Sequence, residues 1–205
     1  MSAEELDKLF NPGAVAVIGA SAKEGTIGHS IFSNLVKYGY KGKLYAVNIK
    51  GDEVLGHKIY RSVKDVPGEV DMAVIAVPQR VVMNVTKECA EKGVKHLVII
   101  SSGFSEVGKE KEEKELVEFA RTHGMRIVGP NIFGVYYAPS HMNATFGPRD
   151  VLAGNIALIT QSGALGIALM GKAMTERIGL SAIVSVGNKA CLLYTSDAAD
   201  EGLGV

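Results

Sequence analysis

Ala14-Val-Ala-Val-Ile-Gly19-Ala-Ser21-Ala-Lys-Glu-Gly25-Thr26-Ile-Gly28 runs from an apolar strand into a glycine turn and on into a helical pattern. A strand with no polar alternation is covered on both faces, which is the situation of a parallel sheet wrapped by helices. Gly19 permits the tight turn. The free backbone N–H groups that open the next helix, with the hydroxyls of Ser21 and Thr26, suit an anion such as a pyrophosphate.

The same rhythm extends outward from this stretch. Apolar runs at 44–47, 72–77, 97–100, 126–128, 156–160 and 182–186 alternate with helical segments near 26–38, 79–92, 108–123 and 163–178. The βαβ order predicts an α/β fold with a mostly parallel, doubly wound, Rossmann-like sheet. A second junction of the same kind, Ala157-Leu-Ile-Thr-Gln161-Ser162-Gly163-Ala164-Leu165-Gly166, leads a strand into a helix through Ser and Gly. Two cradles point to two anionic groups, although Ser162 also reads simply as a good N-cap of an ordinary helix.

Composition sets the outer limits. The 205 residues are 47% hydrophobic, and 22 basic residues balance 22 acidic ones. Such a chain buries one full core and part of a second, and it has no net field to attract nucleic acid or an anionic membrane. No apolar run approaches a membrane span, and the acidic start Met1-Ser-Ala-Glu-Glu-Leu-Asp-Lys differs from a secretion signal, so the expected compartment is the cytoplasm. Two cysteines, Cys89 and Cys191, cannot form a disulfide framework and have no metal-type partner nearby. Neither structural period is evident from Tyr137 to Gly154, which places a linker at 139–154 after a first domain at 1–138. The strand, helix and strand that follow are too few to close a core alone.

The end of the second strand narrows the first ligand. It reads Asn48-Ile-Lys50, where a nicotinamide site presents Asp or Glu to the ribose, and the turn lacks the G-x-G-x-x-G spacing. Asn and Lys there tolerate an extra phosphate, as in NADP or the 3′-phosphate of coenzyme A. The plainer alternative is that Gly19 and Gly28 allow close strand–helix packing and Lys50 is a solvated charge. Further strand ends carry Val77-Pro78, Ser101-Ser102-Gly103 and Gly129-Pro130-Asn131. In an open parallel sheet all of these line one crevice, which favours an extended ligand.

These motifs occur in order together with Val54-Leu-Gly56, Val70-Asp71, Ile99-Ile-Ser-Ser-Gly-Phe104 and Val186-Gly-Asn-Lys-Ala190. The set resembles the α-type half of the ADP-forming acyl-CoA synthetases (acetate–CoA ligases), relatives of the succinyl-CoA synthetase α subunit, from about residue 8 to Ala190. The resemblance implies a CoA-binding domain followed by the start of a flavodoxin-like domain over 155–190. It implies that the pyrophosphate lies at Ser21 and its loop, Lys50 points toward the adenosine end, pantetheine passes Val77, Pro78, Ser101 and Ser102, and Asn131 faces the thiol. Ile132 stands where the family more often has Cys, a change read here as packing. Gln161, Ser162, Gly163 and Ala164 would hold phosphate, acyl phosphate or phosphohistidine.

In such ligases phosphate attacks the acyl-CoA thioester, CoA leaves, and the acyl phosphate passes its phosphoryl group to a histidine and then to ADP. The phosphorylated histidine is expected downstream. None of His29, His57, His96, His123 and His141 lies in a matching motif. Mg-ATP or ADP would enter only through an ATP-grasp part, a β subunit or a fused domain, and the complete enzyme would be an oligomer. Two rivals remain: a stand-alone CoA-binding or CoA-sensing module, against which the second cradle argues, and an NADP-dependent oxidoreductase. The run Glu106 to Leu116 reads as a solvated helix face, and Met170 and Met174 as core. The tail 191–205 reads as translated adaptor or vector sequence, which makes Cys191 meaningless.

Overall fold

A computed structural model describes residues 3–190 of the chain, so the expectation for the tail 191–205, with Cys191, lies outside the described residues. The first sheet contains β1 (Ala14–Ile18), β2 (Lys43–Val47), β3 (Glu53–Val54), β4 (His57–Tyr60), β5 (Met72–Ile75), β6 (His96–Ile99) and β7 (Arg126–Val128), in the order β3-β4-β2-β1-β5-β6-β7. All its pairings are parallel except the β3–β4 hairpin. Strand order reverses beside β1, which pairs with β2 on one side and β5 on the other, so the crevice opens where their carboxyl ends diverge.

Successive residues of a strand face opposite ways, and the two cores divide accordingly. Val15, Val17, Met72, Val74 and Val98 pack against Ile31, Phe32 and Leu35 of helix α2 (Ile27–Tyr38), with α1 (Ala3–Phe10) contributing Leu9. Ala16, Ile18, Ala73, Ile75, Leu97 and Ile99 pack instead against α3 (Gln79–Lys92) and α4 (Glu110–Thr122). Cys89 is a buried member of that second layer, and burial, with Glu88 nearby, pushes its thiol up to about 12.

The expected linker contains structure. A hairpin of β8 (Gly134–Tyr137) and β9 (Met142–Thr145) joins β10 (Ala153–Thr160) and β11 (Leu180–Ser185) in a second sheet ordered β10-β11-β8-β9. β10 and β11 are parallel, linked through α5 (Gly163–Thr175), whereas β8 runs antiparallel to both β11 and β9. The hairpin thus supplies what the later residues lack: Phe133, Tyr136 and Ala138 form one core with Met170, Ala173, Leu180 and Ile183. Met174 packs against its edge.

β9 escapes a pattern search because its polar residues are buried. Asn143 and Thr145 satisfy one another through a 2.7 Å hydrogen bond, Asn143 donates to the Pro148 carbonyl at 3.2 Å, and Thr145 accepts from the Gly147 amide at 3.1 Å. Helix α2 is clamped between the two sheets, with Asn34 donating to the carbonyls of Thr145 and Gly147 at 2.8 and 3.0 Å.

Candidate functional site

The first cradle begins with two glycines that admit no side chain. Gly19 has φ 103°, and a Cβ there would strike the Ala76 carbonyl; a Cβ at Gly28 would fall on the carbonyl oxygen of Gly19. The close packing offered as the plain alternative is therefore real, and it brings the N-terminus of α2 against the end of β1. Thr26 caps that helix, accepting from the His29 amide at 3.3 Å and donating to the Lys23 carbonyl at 2.8 Å. Ser21 accepts from the Lys23 amide at 3.0 Å, and its carbonyl receives the His29 Nδ1 at 2.9 Å. The loop is thus braced internally while Ala22 to Gly25 stay exposed. No acidic residue occupies the first turn of α2, so an anion meets no repulsion there.

Beyond the strand ends lies a cleft of about 490 Å³, lined by Gly19, Asn48, Lys50, Val77 and Pro78 and also by Arg61, Arg80 and Asn84. Asn48 serves as a brace, its amide donating to the Ala20 carbonyl at 2.7 Å and accepting from the Lys50 amide at 3.0 Å. Lys50 is held at the rim by that turn and makes no ion pair among the described residues. An adjoining cleft of about 230 Å³ shares Val77 and Pro78 and adds Ile27, Ser101 and Ser102. Buried Ser101 donates to the Val77 carbonyl at 2.6 Å, so it holds the wall, while Ser102 is exposed. Gly103, at φ 103°, gives its amide to Glu106.

Asn131 and the turn where the two sheets meet lie beyond Ser101 and line neither cleft. Asn131, at φ 61°, donates its backbone N–H to the Ser101 carbonyl at 3.0 Å and its side-chain amide to Asn188 Oδ1 at 3.3 Å. Residues 186–190 wrap this point: the Asn188 amide reaches the Pro130 carbonyl at 3.0 Å, and Val186 N–H reaches the Thr160 carbonyl at 2.9 Å. The same turn therefore touches the thiol-end candidate and the strand that leads to the second cradle. There Ser162 caps α5, accepting from Leu165 N–H at 3.2 Å, and Gln161, Ser162 and Ala164 are exposed, with Gly163 half-buried. Phe133 lies beside Gly163 and occupies the space a side chain at Gly166 would need.

The CoA binding domain family matches residues 13–138. The chain belongs to this family. A second description, the succinyl-CoA ligase like flavodoxin domain, matches 153–199, beginning at β10. Of the similar sequences, acetate–CoA ligase [ADP-forming] I subunit alpha of Pyrococcus furiosus is 63% identical over 191 residues, covering 90% of this chain and 41% of that one. Isoform II of that subunit, from the same organism, is 50% identical, over 91% of this chain and 41% of its own. Among solved structures, the dinucleotide forming acetyl-coenzyme A synthetase 1 of Ca. Korarchaeum cryptofilum, in complex with phosphate and ADP, has a TM-score of 0.88 at 58% identity, over 90% of this chain and 40% of that one. The chain thus spans about two fifths of the length of these three relatives.

Within this CoA-binding domain the structure gathers Gly19, Asn48, Lys50, Val77, Pro78, Ser101 and Ser102 along one continuous groove. Ser21, Thr26, Gly28, Gly103, Asn131 and Gln161 to Ala164 line neither cleft, and 186–190 joins Pro130 and Asn131 to Thr160, just ahead of the second cradle. Arg61, Arg80 and Asn84 were missed, because cations and amides on a helix or loop look solvated in a sequence. The charge run also needs correction. Glu106 and Glu113 both accept from the Asn188 side chain, at 2.6 and 2.7 Å, and Glu113 is buried. Burial pushes the Glu106 carboxyl up, but hydrogen bonds from Asn188 and from backbone N–H groups outweigh it and hold the group below the ordinary carboxylate value. Ile132 is buried against Gly129 and Gly187, a packing residue as read from the sequence.

Proposed function

We propose that the chain is the CoA-binding part, with the opening of the phosphate-handling part, of an ADP-forming acid–CoA ligase. The single observation that carries this reading is the turn at 186–190, which hydrogen-bonds to Pro130 and Asn131 beyond the groove wall and to Thr160 just ahead of the second helix-terminal cradle. A module that only bound CoA would need the groove alone.

In this reading the open end of α2 holds the pyrophosphate, Lys50 attracts the 3′-phosphate, and pantetheine lies along Val77, Pro78 and Ser102. The buried Ser101–Val77 hydrogen bond fixes the wall. Asn131, in left-handed backbone tolerated by Asn, sets the floor near the thiol. The exposed N–H groups after Ser162 face inorganic phosphate or an acyl phosphate, where charge is stabilised by a preorganised helix terminus. Thiol and phosphate are then held at neighbouring points, which is the positional requirement for exchanging an acyl group between sulfur and phosphate. The later phosphoryl relay, through a histidine to ADP, falls to downstream residues and an ATP-grasp part. We place the enzyme in the cytoplasm as an oligomer. Among the described residues no helix is long and apolar enough to cross a membrane.

Titration calorimetry tests the assignment. The recombinant chain should bind CoA in preference to dephospho-CoA and NADP, and Lys50→Ala should narrow the gap between CoA and dephospho-CoA. Preference for NADP would defeat the reading. Ligation should require the longer protein, and turnover by this chain alone would defeat the division of labour.

A further inference from the structure

The cleft beyond β1 and β2 carries more positive charge than one ligand-facing lysine. Lys50, Arg61 and Arg80 all line it, against one carboxylate among its lining residues, Glu88, which accepts from the Ser62 hydroxyl at 2.6 Å. Arg61 is committed elsewhere, to Asp52 at 2.9 Å and to the Ile49 carbonyl at 2.8 Å. Arg80 has no ion-pair or hydrogen-bond partner among the described residues. It occupies the first turn of α3, two residues after the N-cap Pro78, and that turn contains no acidic residue. A cation at the positive end of a helix is disfavoured, and although Glu112 and Glu115 border a smaller cleft beside Arg80, it forms an ion pair with neither. Asn84, one helical turn further on, is exposed along the same cleft.

We infer that Arg80 is a specificity-determining residue that closes, from the α3 side, a two-cation clamp on the 3′-phosphate of CoA whose other member is Lys50. The inference rests on the CoA reading above and adds the helix that discriminates between phosphorylated and unphosphorylated ligands. A guanidinium suits the task because its planar fork grips two phosphate oxygens, whereas a lysine supplies a point charge.

Calorimetry on the full chain, with CoA and dephospho-CoA as paired probes, decides the matter. Arg80→Ala should weaken CoA binding about tenfold and leave dephospho-CoA binding at the wild-type level, which also shows that the variant is folded. Arg80→Lys should recover part of the loss. Raising salt should erode the wild-type preference more than that of Arg80→Ala. An unchanged CoA to dephospho-CoA ratio in Arg80→Ala overturns the proposal while leaving the CoA reading intact. A wild-type chain that binds neither probe overturns both.

Discussion

At Gly28 one methyl group separates a working cradle from a blocked one, since a Cβ there would land on the carbonyl of Gly19. Both contacting atoms belong to backbone, so neither can swing aside. Gly28→Ala should therefore lower the free energy of unfolding by about 1–3 kcal/mol and loosen the loop that holds Ser21 and Thr26. Gly25, in the same loop at φ 78°, has open space around it, so an alanine there meets only the left-handed backbone cost of about 1–2 kcal/mol. Urea denaturation of the two variants beside a CoA titration checks the distinction. Gly25→Ala should keep the β1–α2 junction and Gly28→Ala should not, so equal affinity for CoA in both would contradict this account. Positions such as Gly19, Asn48 and Lys50 were legible because a strand end in a parallel sheet has one direction to point. Arg80 and Asn84 were not, because a helix surface offers many directions and only the tertiary fold selects one.

The 186–190 turn links elements that are distant in the chain through a few polar atoms. Asn188 gives its amide to Glu106 and Glu113 and accepts from Asn131, while Glu113 also receives the Ser105 hydroxyl at 2.8 Å. Because the folded Glu106 carboxyl lies below its ordinary value, its contribution is present above the unfolded pKa and is lost as pH falls through the lowered value. Glu106→Gln should then reduce the melting temperature at neutral pH, and the two curves should converge in acid, once the lowered carboxyl value has been passed. A constant offset down to pH 2 or so would assign the loss to shape instead of charge. Asn188→Ala should be worse at neutral pH, since it takes one donor from each of two carboxylates, the buried Glu113 keeping only its bonds from Ser105. None of this network could be read from the acidic run, where charges at helical spacing look alike whether solvated or engaged. The strands divide the same way. β1 and β7 were plain from their apolar residues, whereas β9 hid behind Asn143 and Thr145, whose polarity is satisfied only after folding.

Across the whole molecule the two sheets differ in how well they are covered. β1 is buried throughout, while edge strand β10 leaves Ile156 53% and Ile159 74% exposed, with Leu165 and Leu169 exposed on neighbouring α5. An open apolar edge invites pairing with another chain. The chain should self-associate as its concentration rises, and Ile159→Lys should shift it toward monomer in sedimentation velocity; a wild-type monomer at every concentration would contradict this. The sheet order β10-β11-β8-β9 also sets a timetable for synthesis. The β8–β9 hairpin emerges while α2 is already available to receive it, so the far edge of the second sheet can be laid down early. β10 comes next but among the described residues pairs within the sheet only with β11, about 20 residues later, a wait of roughly one to four seconds on the ribosome. During that interval a strand carrying Ile156, Leu158 and Ile159 lacks its neighbour in the sheet, which makes it the point in biogenesis where a chaperone, or a slower codon, would change the yield of folded protein.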